Sequence, residues 1–261
     1  MRRVRISPDL SLFPEEFRPL VEGAAVYDSC CSPFAAVYFI DREGGFYLKT
    51  AEKGSLQREA LMDDYFAKKG LGAKVLSYRS SDRDWLLTER VAGEDCCDPM
   101  YLASPERLCD LLATRLRMLH ETDASDCPVP CRMEEYFATA EANYRKGQYD
   151  LSYGRGFGDF SSPEEARKVL EQGRGLMKNE VLLHGDYCLP NILLRDWAFS
   201  GFIDLGNGGV GDRHVDLFWG AWTLHFNLKT DRYRQRFYDA YGRDFVDFDR
   251  LRVVSAAEIF G

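Results

Sequence analysis

The chain has 261 residues, 45% hydrophobic and 29% charged, the balance of one or two folded domains with a core of useful size, and not that of a disordered or fibrous protein. Asp and Glu (42) outnumber Lys and Arg (34). The formal charge of −8 argues against non-specific nucleic-acid binding and suits a cationic partner, though it also serves plain solubility.

In chain order, the basic start Met1-Arg2-Arg3-Val4-Arg5 is followed by Ser7-Pro8-Asp9 instead of an apolar stretch. No secretory leader is read there, no run of about 18 apolar residues suggests a membrane span, and a cytoplasmic protein is expected. Residues 35–40 and 45–49 are short apolar and aromatic runs flanking Asp41-Arg42-Glu43-Gly44, a hairpin signal. Residues 52–69 carry Leu56, Ala60, Leu61, Tyr65 and Phe66 at helical spacing and stop at Gly70 and Gly72. Residues 74–79 and 85–89 read as two further strands.

After Gly93 the pattern turns helical. Ser104-Pro105-Glu106 has the form of an N-cap with Pro at the first helical position and opens a helix to residue 120; Ser161-Ser162-Pro163-Glu164-Glu165 opens another to residue 177. Residues 212–224, 231–241 and 248–260 read as helices, and the apolar runs 181–183, 192–194 and 202–203 are too short for that. The expectation is an α+β, bilobal chain: a small β-rich lobe over 1–90 and a larger, mainly helical lobe over 91–261. Of the eight cysteines, two pairs are adjacent in sequence, awkward for disulfides, and Cys127 and Cys131 lack the further ligands a zinc site needs. Reduced thiols are expected.

The strongest chemical signal is His184-Gly185-Asp186 followed by Pro190-Asn191-Ile192. An Asp and an Asn at this spacing can share one loop, the Asp facing a hydroxyl and the Asn oxygen facing Mg²⁺. Gly201-Phe202-Ile203-Asp204-Leu205-Gly206 then puts an Asp at a strand end, placed to bind the same ion through hard oxygen. Lys49 closes an apolar strand. Alone it would read as a snorkelling cation, but the helix after it carries Glu59, the ion-pair arrangement that holds a nucleotide's α- and β-phosphates in kinases.

With these motifs the sequence resembles the aminoglycoside phosphotransferases, closest to the 3′-phosphotransferase branch, from about residue 32 onward. The residues carrying the resemblance are the two motifs above and residues 208–217 with Asp212 and Asp216. Weaker matches are Tyr47, Lys49, Arg58-Glu59 and Ser125-Asp126-Cys127-Pro128. The resemblance implies a bilobal protein-kinase-like fold, with a nucleotide-binding first lobe and a second lobe bearing catalytic loop, metal site and acceptor pocket. It implies ATP, or GTP, with Mg²⁺, and a monomer acting on a cationic aminoglycoside at its 3′-hydroxyl, conferring resistance. Asp186 would be catalytic, and Asn191 and Asp204 would hold the metal. Lys49 and Glu59 would serve the phosphates, with Ser32-Pro33-Phe34 as the loop over them. Tyr47 would stack on adenine, and the backbone at Glu89 and Val91 would bond its edge. Glu258 and Phe260 would bind the acceptor, although Gly261 displaces the terminal carboxylate by one residue and Asn207 stands where relatives often carry Arg. The alternative is a metabolic kinase of the same fold acting on choline, a fructosamine, homoserine or a thio-sugar.

Plainer roles are expected elsewhere. His184 braces its loop, His120 is a core histidine, Asp216 accepts bonds from the catalytic loop, and Trp219 and Trp222 belong to the core. For Glu258 a solvated helix end is the competing reading.

Overall fold

The computed structural model describes residues 3–30 and 34–261. The chain packs into two compact units, Met1–Asp98 with Pro190–Gly206, and Pro99–Leu189 with Asn207–Gly261.

In the first unit, β1 (Val4–Ile6), β2 (Ala25–Asp28), β3 (Ala35–Asp41), β4 (Phe46–Glu52), β5 (Val75–Ser80) and β6 (Arg83–Glu89) form an antiparallel sheet in the order β1-β2-β3-β4-β6-β5. Alternation along β4 sorts its side chains between two faces. Leu48 joins Ile40, Trp85 and Leu87 on one face, under Phe13, Phe17 and Val21, the last from the short helix α1 (Arg18–Val21). Ala51 and Leu86 lie on the other, covered by Leu56 and by Ala60 of α2 (Gln57–Lys68). Tyr47 and Lys49 share the alternation of Ala51 and so belong to the face that α2 covers.

Two strands exceed the expected four. β1 and β2 are short, and β2 gains its place by pairing with β3 in register Val26↔Ile40, a long-range decision that local pattern does not encode. The helix expected from residue 52 begins at Gln57, because β4 continues to Glu52 opposite Arg83. The unit is completed by β7 (Glu94–Asp95), against which a later segment returns.

The second unit holds α3 (Pro99–Leu102), α4 (Pro105–His120), α5 (Arg132–Arg145), α6 (Pro163–Gly173) and β8 (Val181–Leu183). The chain then revisits the first unit, where β9 (Ile192–Arg195) pairs with β7 and with β10 (Ala198–Phe202). That pairing is why the boundary by packing lies after Asp98, past the break read at residue 90, and why 190–206 groups with the first unit. Back in the second unit, β11 (Gly209–Gly211) pairs with β8, and α7 (His214–Leu228), α8 (Arg234–Tyr241) and α9 (Phe248–Glu258) follow. Ser162 caps α6 as expected, accepting from the Glu165 N–H, whereas Ser104 makes no side-chain cap bond. α5 was not expected, although Met133, Phe137 and Ala140 form its buried stripe. No helix among the described residues is long and apolar enough to cross a membrane.

Candidate active site

In the first unit, β4 turns Lys49 towards the first turn of α2. Its Nζ lies 2.7 Å from both carboxylate oxygens of Glu59 and 2.8 Å from Asp204 Oδ1. Asp204 follows β10 with φ +62°, and its side chain is half exposed. Burial alone would lower the Lys49 pKa, but the charges of Asp204 and Glu59 win and raise it, so the ammonium persists. Burial pushes the Glu59 carboxyl up, against the pull of Lys49.

Asp63, one turn further along α2, is also buried and held well above the usual carboxylate range by desolvation and by Glu59. The sequence reading passed over it, although i,i+4 spacing from Glu59 puts both on one helix face. Three carboxyl groups thus gather about one ammonium. Asn191 is buried, and its carbonyl accepts from the Ile203 N–H at 3.1 Å, so the backbones bearing Asn191 and Asp204 are tied together.

The other residues expected at the nucleotide have mixed surroundings. Tyr47 stands 5.2 Å from the Phe39 ring, and its hydroxyl accepts from Arg3, whose guanidinium lies over Phe39. Glu89 ends β6 and donates its N–H to the Lys74 carbonyl; Val91 is buried. Both line a shallow groove of about 470 Å³ with Asp64, Lys68, Lys74 and Ser200, which includes none of Lys49, Glu59 and Asp204. Ser32 lies outside the described residues.

In the second unit, β8 delivers the chain into a tightly held loop. The N–H groups of His184 and Gly185 each donate at 2.8 Å to the carboxylate of Asp216, which is fully buried in the first turn of α7. His120 braces the same carboxylate, with Nε2 at 3.2 Å, and Nδ1 lies 2.7 Å from the Tyr241 hydroxyl. Burial lowers the His120 pKa, so it is a neutral core histidine. Gly185 has φ +84°, and a Cβ there would lie 2.0 Å from the Asn207 carbonyl oxygen, so only glycine fits. His184 is buried and its Nδ1 accepts from the Asp186 N–H at 3.3 Å. The turn presenting Asp186 is therefore fixed from several sides.

Glu258 is no solvated helix end, being only 6% exposed. Its Oε1 accepts from the Tyr136 hydroxyl at 2.7 Å and from Trp219 Nε1 at 3.1 Å. Burial pushes its carboxyl up to about 7; the two donors and Arg132 oppose this, and the charge of Asp186 adds to it. Tyr136 was not singled out from sequence, where nothing local marks it, and Trp219 was read there as core and not as a donor to Glu258. Trp219 and Trp222 are half-buried, in an aromatic row with Tyr153 and Phe226, not core as expected. Phe260 is turned into the fold: its ring is buried edge-on to Tyr144, and its carbonyl accepts from Asn143 Nδ2 at 2.7 Å. With Gly261 following, its carbonyl is an amide already bonded within the fold.

A family model described as the phosphotransferase enzyme family matches residues 34–254. A Lactococcus lactis subsp. lactis protein named "Probable aminoglycoside 3′-phosphotransferase" is 47% identical over 262 residues, covering 100% of this chain and 99% of that one. Among solved structures, an aminoglycoside-3′-phosphotransferase of type VIII aligns with TM-score 0.71 and 25% identity over 90% of this chain and 91% of that one. A Streptomyces rimosus 3″-aminoglycoside phosphotransferase in complex with ADP and streptomycin aligns with TM-score 0.70 and 25% identity over 86% and 90%.

Proposed function

The chain belongs to the phosphotransferase enzyme family, and from that membership we propose that it moves the γ-phosphate of ATP to the 3′-hydroxyl of an aminoglycoside and so confers resistance. The observation that carries the proposal is the meeting of Lys49, Glu59 and Asp204, from β4, α2 and the end of β10, within 2.8 Å. A lysine held charged by two carboxylates is ready for the α- and β-phosphates of a nucleotide.

Mg²⁺ suits the donors here. Asn191 and Asp204 supply hard oxygens on backbone segments joined by a hydrogen bond, and carboxyls outnumber the one ammonium nearby. These two residues would hold the ion, which when bound neutralises charge on the phosphate oxygens. Asp186 orients the acceptor hydroxyl and takes its proton as the new oxygen–phosphorus bond forms and ADP leaves. Lys49 steadies the phosphates that remain on ADP. Tyr47 and the backbone at Glu89 and Val91 hold the adenine. Glu258, ionised, receives an acceptor ammonium. Positioning and charge neutralisation supply most of the acceleration. A monomeric, cytoplasmic enzyme is part of the same reading.

The test is purified protein with radiolabelled ATP and a panel of kanamycin, its 3′-deoxy analogue, choline and amino sugars. Label should pass to kanamycin and not to the 3′-deoxy compound. Label on choline or a simple sugar with kanamycin untouched would replace this reading with that of a metabolic kinase.

A further inference from the structure

Arg132 occupies a costly place. It stands in the first turn of α5, where a cation opposes the helix dipole, and its side chain is only 9% exposed. Glu135 lies 3.7 Å from one guanidinium nitrogen and offsets part of that cost. The other contacts are specific: Nε donates to the Asn207 carbonyl at 3.1 Å and Nη2 to the Asn207 side-chain oxygen at 3.3 Å.

That carbonyl is the one against which Gly185 packs so closely that no Cβ would fit. Gly185 is therefore gripped between two groups. Its N–H is held by Asp216, and its α-carbon rests on Asn207, which Arg132 holds in turn. Asp186 is the next residue.

We propose that Arg132 is a positioning residue for phosphoryl transfer: its guanidinium fork holds Asn207 against Gly185 and so fixes the turn that presents Asp186. The inference rests on the role given to Asp186 above. A planar fork suits the task because it can bond a backbone and a side-chain oxygen of one residue together, which a lysine ammonium does with less geometric control. The guanidinium has a second reach. Its charge opposes the upward push that burial gives Glu258, which Tyr136, Trp219 and Asp186 also face.

The experiment compares Arg132→Lys, Arg132→Met and Asn207→Ala with the wild type by kcat, both Michaelis constants, their pH profiles and Tm. Arg132→Lys should lower kcat about tenfold at an ATP KM within about twofold of wild type, with the pH profile of the acceptor KM unmoved. Arg132→Met should lower kcat further and move the loss of acceptor affinity to higher pH, because Glu258 loses its cation. Asn207→Ala keeps the carbonyl contact and should cost less than about threefold. Arg132→Lys with kcat within about twofold of wild type would overturn the inference. So would a loss of activity in both Arg132 variants that only tracks the loss of folded protein. Transfer by the wild type to choline and to no aminoglycoside would instead unseat the acceptor reading, and the same comparison would then be read on choline.

Discussion

Around Lys49 the chain sets charge against charge, while around Glu258 it sets a buried carboxyl chiefly against neutral donors. The lysine meets Glu59 and Asp204 within 2.8 Å, and their fields hold its pKa above the ordinary value despite burial. The glutamate meets a tyrosine hydroxyl and an indole N–H, and burial prevails, raising its pKa to about 7. A partly buried lysine and a buried glutamate thus behave oppositely. One is a permanent cation suited to a polyanionic nucleotide; the other is a titratable anion, incompletely compensated, suited to a cationic ligand that completes it.

The largest expected effect lies in the loop of the second unit. Asp186→Ala should lower single-turnover transfer by at least about a thousandfold, while nucleotide affinity by titration stays within about twofold. Transfer within a few-fold of wild type would remove Asp186 from the chemistry. Next, Lys49→Ala should lower kcat/KM for ATP about a hundredfold and leave the acceptor KM unchanged. If the acceptor KM rose in step, the two clusters would not be separable by substrate.

Glu258→Gln should raise the acceptor KM about tenfold with the ATP KM constant, since a neutral amide keeps both donors and loses the charge. The same change should stabilise the fold at alkaline pH. The carboxyl moves from 4.5 when unfolded to about 7 when folded. Its contribution to stability is therefore greatest at low pH, falls as pH rises between those values, and is lost above them. The Tm difference between Glu258→Gln and wild type should widen across that window, and a constant difference would contradict a raised pKa. The smallest effect is the sharpest contrast. In wild type the acceptor KM should rise as pH falls below about 7, whereas the ATP KM should show no inflection from Lys49 there.

The Lys49 cluster and the loop carrying Asp186 were legible in advance because their residues sit in short segments. Lys49 and Glu59 lie on consecutive elements, and Asp186, Asn191 and Asp204 fall in two compact motifs whose spacing reflects one loop and one strand end. Asp63 was within reach of the same reasoning through its helical spacing from Glu59. The surroundings of Glu258 and of Arg132 were not. Tyr136 bonds Glu258 across 122 residues of chain, and Arg132 bonds Asn207 across 75.

The sequence by itself determined the α+β architecture, the strand bearing Lys49 and the loop bearing Asp186, because periodicity and turn chemistry act over a few residues. Only the tertiary structure decided that β2 joins β3, that Glu258 is buried against Tyr136 and Trp219, that Phe260 is turned inward, and that Arg132 bonds Asn207. Those outcomes depend on which distant surfaces exclude water together, and burial, unlike spacing, has no local signature.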